Sequence, residues 1–271
     1  MFSLLSLQSL LGLAVIVGVC WLLSENRTAF PWRLTLGAVL VQAALVLMVF
    51  GLPGADHVLG AITGAVDGLD QATQAGTQFI FGYLVGTGPQ PYETTTDSIF
   101  VFAFRVLPLI LVISALSALL WHWKILKWLI RGFGLLFQRT MGLGGASALA
   151  VAANIFLGMI ESPIVIRAYL DKLTRSELFL LMVVGLATVA GSTMVAYATI
   201  LGGVLPNAAG HVLVASIISA PAGVALARIL IPEQEAQSGV AADYDSGLKY
   251  DSSIDAIVKG TADGLMVVLN I

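Results

Sequence analysis

Apolar residues run almost unbroken from Leu4 to Leu23, Leu34 to Phe50, Ile99 to Leu120, Leu178 to Leu201 and Val212 to Ile231. Each run is close to the ~20 residues that a helix needs to cross a ~30 Å hydrocarbon core. The pattern therefore predicts a string of membrane-spanning helices, with a further apolar segment opening at Gly260. Between the first two runs, SENRTAFPWR (Ser24 to Arg33) reads as a polar turn in which Pro31 starts the next helix, giving an antiparallel pair. Val58 to Phe81 has another rhythm, with Asp67, Asp70, Gln71 and Gln74 recurring among apolar residues at helical spacing. That helix is too polar to span and suits the membrane interface. GTGPQPYETTT, from Gly86 to Thr96, is loop by its Gly, Pro and Thr content. Leu4 to Leu23 is either a span or a signal peptide. The span is favoured because no Lys or Arg precedes Arg27 and no small-x-small cleavage site follows.

Charge orients the string. No Lys or Arg occurs from Gly51 to Phe100, whereas Lys124, Lys127, Arg131 and Arg139 fall in Trp121 to Thr140 without one acid. The positive-inside rule puts the first stretch outside and the second, an amphipathic basic segment, on the cytoplasmic face. Of 13 Lys and Arg, Arg105 alone falls off the cytoplasmic side in this scheme. It either snorkels to the outer headgroups or meets a carboxylate, and a substrate role is the less favoured reading.

Thr140 to Ile166 is the exception to simple spanning. Arg139 and Arg167 bracket it, both on the cytoplasmic side, and it is too short for two spans. A re-entrant helical hairpin satisfies both constraints, with its tip in NIFLGMIESPIVIR near Gly158 to Pro163. Glu161 in such surroundings must be paired, protonated or facing a water-lined cavity, because burying a bare carboxylate costs several kcal/mol or more. Ala190 to Thr193 interrupts the fourth span, either as an unwound point or as close small-residue packing. Pro221 predicts a kink in the fifth span. Pro232 to Lys259 is a polar cytoplasmic stretch whose end, Ser252 to Lys259, forms a short surface helix.

Composition agrees with this reading, at 58% hydrophobic, 11% charged and mean hydropathy +0.94. One cysteine, Cys20, excludes an intrachain disulfide. His57, His122 and His211 fall at interfaces, and no His–Asp pair, aspartate pair or metal cluster lies within a span. An intramembrane enzyme is thereby disfavoured. Short hairpins and broken helices at mid-membrane instead suit a secondary transporter.

FAFRVLPLILVISALSALLW, ASALAVAANIFLGMIESPIVIRAYL, TRSELFLLMVVGLATVAGSTMVAYATILGG and KGTADGLMVVLNI together closely resemble the concentrative nucleoside transporter family. The resemblance runs from about Phe79 onward and more loosely over the first two spans. It implies an all-α polytopic membrane protein with a re-entrant hairpin and interfacial helices, in a bacterial inner membrane, as a homotrimer. It implies cation-coupled nucleoside symport by an elevator-like movement, with sodium, or alternatively protons, as coupling ion. Asn154, the Leu157 carbonyl, Thr188 and the Val189 carbonyl would hold sodium. Gly158, Met159, Ile160, Glu161 and Thr193 would face the nucleobase, with Glu161 reading its edge. A nucleoside and the lipid bilayer are the expected partners, and no nucleic acid is. Met159 and Ile160 depart from the Gln and Thr of most relatives and remove two polar contacts to the base. Relatives also continue into a second hairpin, so the chain is expected to be an incomplete copy, inactive alone. The expected division is residues 1–82 (scaffold helices and interfacial helix), 83–140 (third span and basic segment), 141–203 (hairpin and broken fourth span) and 204–271. The other reading is a membrane binding or gating protein that keeps the hairpin fold.

Overall fold

The computed structural model describes residues 4–51, 55–86, 101–157, 159, 162–201, 204–235 and 248–270. Among these the regular structure is helical: α1 (Leu4–Leu22), α2 (Trp32–Phe50), α3 (Ala55–Phe81), α4 (Phe102–Arg105), α5 (Leu107–His122) and α6 (Ile125–Met141). There follow α7 (Gly145–Leu157), α8 (Ser162–Val165), α9 (Arg175–Ala187), α10 (Gly191–Leu201), α11 (Ala208–Leu230) and α12 (Ser253–Asn270). Single 3₁₀ segments, Gly82–Val85 and Arg167–Lys172, follow α3 and α8. Trp32–Val49, Phe102–His122 and Ala208–Leu230 are long and apolar enough to cross a membrane, and Leu11–Leu22 and Gly145–Leu157 are shorter apolar helices.

Local chemistry explains several boundaries. Pro108 sits in the first turn of α5, where its missing N–H costs nothing. Thr174 and Glu177 form a reciprocal capping box at the start of α9. Gly142, at φ 64°, separates α6 from α7 in a left-handed conformation that glycine takes without steric penalty. Pro221 lies inside α11, which runs on through it.

The chain divides into two compact units. The first comprises Met1–Leu47, Ile130–Thr188 and Ile217–Gly247. Its centre is α7, whose residues from Ala146 to Ile155 are buried without interruption. Small side chains let backbones meet there: a Cβ on Gly37 would stand 2.6 Å from the Thr140 carbonyl oxygen, and one on Gly223 would stand 3.3 Å from the Val184 side chain. Phe133 stacks edge-on to Phe156 on the flank of α7, with ring centroids 5.8 Å apart.

The second unit comprises Met48–Leu129, Val189–Ser216 and Leu248–Ile271. Its core joins Val66 of α3, Leu109 and Ile113 of α5, Val195 and Ala198 of α10, and Ala208 and Ala209 of α11. In α3, Leu59, Val66 and Thr73 are buried at seven-residue spacing, as one face of a helix requires. Asp70 on the same helix accepts from Gln74 Nε2 at 2.6 Å.

Three details differ from the sequence reading. The third span is two helices, α4 and α5, hinged at Val106. The fourth span breaks at Thr188 to Ala190, and Gly191 to Thr193 already form the first turn of α10. Residues 253–270 are one continuous helix, not a surface helix followed by a separate apolar segment. The reason is that Gly260 and Gly264 press α12 onto α5 along its middle.

Candidate functional site

The polar atoms that stand out in the first unit lie where α7 ends against α9. Asn154, in the last turn of α7, is fully buried. Its Nδ2 points at the Leu181 carbonyl, 3.5 Å away, and its Oδ1 has no donor among the described residues. The opposite amide orientation would set two carbonyl oxygens against each other. About two turns further on, just past the end of α9, the buried Thr188 hydroxyl lies 2.9 Å from the Val184 carbonyl and 3.2 Å from the Asn154 carbonyl. A hydroxyl has one proton for these two acceptors and keeps its lone pairs available.

Leu181, Gly185 and Thr188 form the α9 stripe that faces this corner. A Cβ on Gly185 would lie 2.7 Å from the Met159 Cβ and 3.5 Å from Asn154 Oδ1. Only glycine allows the turn after α7 to come this close. Leu157 is buried and is the last residue of α7. Ser162 opens α8, and its buried Oγ has no hydrogen-bond partner among the described residues. Met159 is 54% exposed in the intervening turn. Gly158, Ile160 and Glu161 lie outside the described residues.

Val189 and Thr193 belong to the second unit. There the buried Ser216 hydroxyl of α11 accepts a hydrogen bond from the Val189 N–H at 3.1 Å and lies 3.4 Å from the Val189 carbonyl. Ser216 thus satisfies backbone that the helix break leaves open. Thr193 is half-buried in the first turn of α10.

A second polar group ties the start of α9 to the end of α11. Arg228, 1% exposed, donates from Nη1 to Ser176 Oγ at 2.6 Å and to Glu233 Oε2. Thr174 Oγ1 donates to the same Glu233 oxygen at 2.8 Å. Burial pushes the Glu233 carboxyl up, but the hydrogen bonds from Arg228 and Thr174 and the guanidinium charge outweigh it and hold the group below the ordinary carboxylate range. Glu177, fully buried, accepts from Ser147 Oγ at 3.1 Å and from the Thr174 N–H at 3.1 Å. Glu25 and Arg175 pair through two hydrogen bonds, 2.6 and 3.0 Å long, at the exposed edge.

Chemically, the α7–α9 corner offers a carboxamide oxygen with no donor among the described residues and a buried hydroxyl, close to the end of α7. Neutral oxygen acceptors without donors suit a hard cation of low charge. Sequence reasoning named Asn154, Leu157 and Thr188, and the structure brings Asn154 and Thr188 into contact. It missed Gly185, Leu181 and Ser216 as parts of the arrangement. Gly185 is legible only as one glycine among the 28 in the chain, and an isolated serine in an apolar run carries no signal of its own.

Comparison with known proteins bears on these positions. Three family models match in order: Na+ dependent nucleoside transporter N-terminus over residues 11–84, nucleoside recognition (gate) over 103–204, and Na+ dependent nucleoside transporter C-terminus over 211–271. The chain is 33% identical to nucleoside permease NupC of Helicobacter pylori, over 98% of its own length and 61% of the permease. It is 30% identical to human solute carrier family 28 member 3, over 96% of its own length and 36% of the carrier. Its fold superposes on a solved structure of CNTnw in an inward-facing substrate-bound state with a TM-score of 0.87 at 35% identity, covering 99% of this chain and 63% of the other. The chain thus spans about three fifths of the length of its bacterial relatives.

Proposed function

The chain belongs to the concentrative, Na+ dependent nucleoside transporter family, and on that premise we propose that it forms the sodium- and nucleobase-binding part of a nucleoside symporter. The observation that carries the reading is the buried Asn154, whose Oδ1 has no donor among the described residues and whose backbone carbonyl lies 3.2 Å from the Thr188 hydroxyl. Leaving such an acceptor bare costs ~1–3 kcal/mol, which a bound cation would offset. Asn154, Thr188 and the carbonyls of Leu157 and Val189 would supply the sodium oxygens. Gly158, Met159, Ile160, Glu161 and Thr193 would line the nucleobase side, with Glu161 accepting from the base edge. Sodium entering at the end of α7 would neutralise local negative potential and fix the turn that carries Met159 and Glu161. Ion and nucleoside binding would thereby be coupled through one backbone segment.

The cycle proposed is an elevator-like passage of the hairpin-bearing part across a scaffold, in a homotrimer embedded in the bacterial inner membrane. Protons are the alternative coupling ion, with Glu161 as carrier. A binding or gating role without transport is the second reading. It is favoured by Met159, whose exposed thioether offers a base packing contact but no strong polar one.

The deciding experiment is radiolabelled uridine and adenosine binding by the purified 271-residue chain in nanodiscs, in sodium chloride and in choline chloride at pH 5.5 and 7.5. Binding that requires sodium and is lost in Asn154→Leu supports the symporter reading. Binding that follows acid pH and ignores sodium moves the coupling to protons. Folded protein that binds no nucleoside in either salt overturns the proposal in favour of the gating role.

A further inference from the structure

Between α5 and α6 the chain reads WHWKILKW, from Trp121 to Trp128. Three indoles and two ammonium groups fall within these eight positions, and the structure sorts them. Trp121 is buried, donates through Nε1 to the Leu248 carbonyl at 3.1 Å, and carries the Lys127 ammonium 5.2 Å from its ring centroid. Trp123 donates through Nε1 to Ser253 Oγ at 3.2 Å while its ring remains 54% exposed. Lys124 makes the corner itself at φ 66°, exposed, in a left-handed conformation that Lys rarely takes. Ile125 and Trp128 follow at 53% and 78% exposure.

An exposed cation held on a rigid corner, and ringed by exposed indoles and isoleucine, is the chemistry of a membrane–water boundary. The rings rest among acyl chains and glycerol while ammonium groups meet phosphate. A soluble anion would meet the ammonium groups but leave Trp123, Ile125 and Trp128 against water. Asp255 of α12 is already engaged, accepting from Lys259 at 2.8 Å and from the Asp251 N–H at 3.0 Å. His122 and Lys249 add no negative charge to the corner.

We propose that the Trp121–Trp128 corner is a seat for an anionic phospholipid headgroup, with Lys124 and Lys127 facing the phosphate and Trp123, Ile125 and Trp128 covering the upper acyl chains. The proposal rests on the membrane reading of the family but not on nucleoside transport. A basic residue close to an anionic surface contributes about fivefold to partition.

The test is native mass spectrometry of the full chain, released from detergent with equimolar phosphatidylglycerol and phosphatidylcholine of identical acyl chains. Wild type should retain phosphatidylglycerol at least about fivefold over phosphatidylcholine. The double variant Lys124→Asn, Lys127→Gln should bring that ratio close to one, asparagine being chosen because it tolerates the left-handed corner. Trp128→Ala should lower both lipids together and leave the ratio unchanged. Equal retention of the two lipids by wild type, or an unaltered ratio in the double variant, overturns the proposal. Displacement of phosphatidylglycerol by millimolar glycerol 3-phosphate would reassign the corner to free phosphates. Lipid-free oligomers that dissociate in Trp128→Ala would reassign it to a second copy of this chain. Nucleoside binding measured in parallel separates this outcome from failure of the transporter reading, since the double variant should bind nucleoside as wild type does.

Discussion

Two helix contacts in this molecule use the same device, a glycine that removes the gap between backbones, to opposite ends. In the second unit, Gly260 and Gly264 seat α12 on α5, where a Cβ would stand 2.6 Å from the Ala118 Cβ and 2.8 Å from the Ser114 carbonyl or side chain. That contact encloses mainly aliphatic atoms and backbone, and is close packing of the kind that holds membrane helices together. In the first unit, Gly185 brings the turn after α7 onto α9, and what it encloses is Asn154 Oδ1, an acceptor with no donor among the described residues. Close packing stabilises the one, whereas the other encloses a hydrogen-bond acceptor left unsatisfied among the described residues.

Substitutions should separate the two. The largest loss is expected within the first unit's own brace: Glu233→Gln removes the charge partner of the buried Arg228 and should destabilise by ~3–5 kcal/mol, read as a lower unfolding midpoint in detergent. The wild-type brace has a defined pH window. Because the folded Glu233 carboxyl is held below its unfolded value of 4.5, its contribution is fully present above that value and is lost as pH falls through the lower folded one. Thermal midpoints should therefore be insensitive to Glu233 from pH 7 to about 5 and fall in stronger acid, a fall that Glu233→Gln should lack.

Next comes Gly260→Val, which has no room on α5 and should cost ~3 kcal/mol while leaving any sodium response intact. A sodium response lost together with stability would mean that the two contacts are not independent. Asn154→Leu should do the reverse. Removing an unpaired polar group leaves sodium-free stability unchanged or raises it by ~1 kcal/mol, yet the stabilisation by sodium disappears. If Asn154→Leu unfolds the chain as badly as Gly260→Val, the carboxamide is a structural brace and the contrast fails. The smallest effect is expected for Thr188→Val, which keeps shape and loses one hydroxyl, at ~1 kcal/mol or about fivefold in sodium affinity. Sodium titration of thermal stability measures both.

Span positions were legible because a helix crossing hydrocarbon must be long and apolar, and that demand is written residue by residue. The runs ending at Leu23, Phe50 and Ile231 match α1, α2 and α11 to within four residues at each end. Asn154 was legible for a related reason, since a carboxamide in GASALAVAANIFL has no cheap burial without a function. Gly185 was not, because a glycine's meaning depends on what approaches it, here a turn 26 positions earlier at Met159. The same holds for Ser216, which closes a helix break 27 positions before it. The break lies at Thr188 to Ala190 and meets the expected Ala190 to Thr193 only at Ala190: small and hydroxylated residues mark where a helix can end, but not the residue at which it does.

The sequence by itself determined the helical, membrane-embedded class and the motifs that resemble sodium-dependent nucleoside transporters. Those follow from transfer free energies and local propensities, which are properties of short windows. Tertiary structure alone decided that 253–270 is a single helix seated on α5, that Arg228 shares Glu233 with Thr174, and that Asn154 Oδ1 has no donor among the described residues. Each of these is a matter of which distant atoms arrive within 3 or 4 Å, and no window of the chain records that distance.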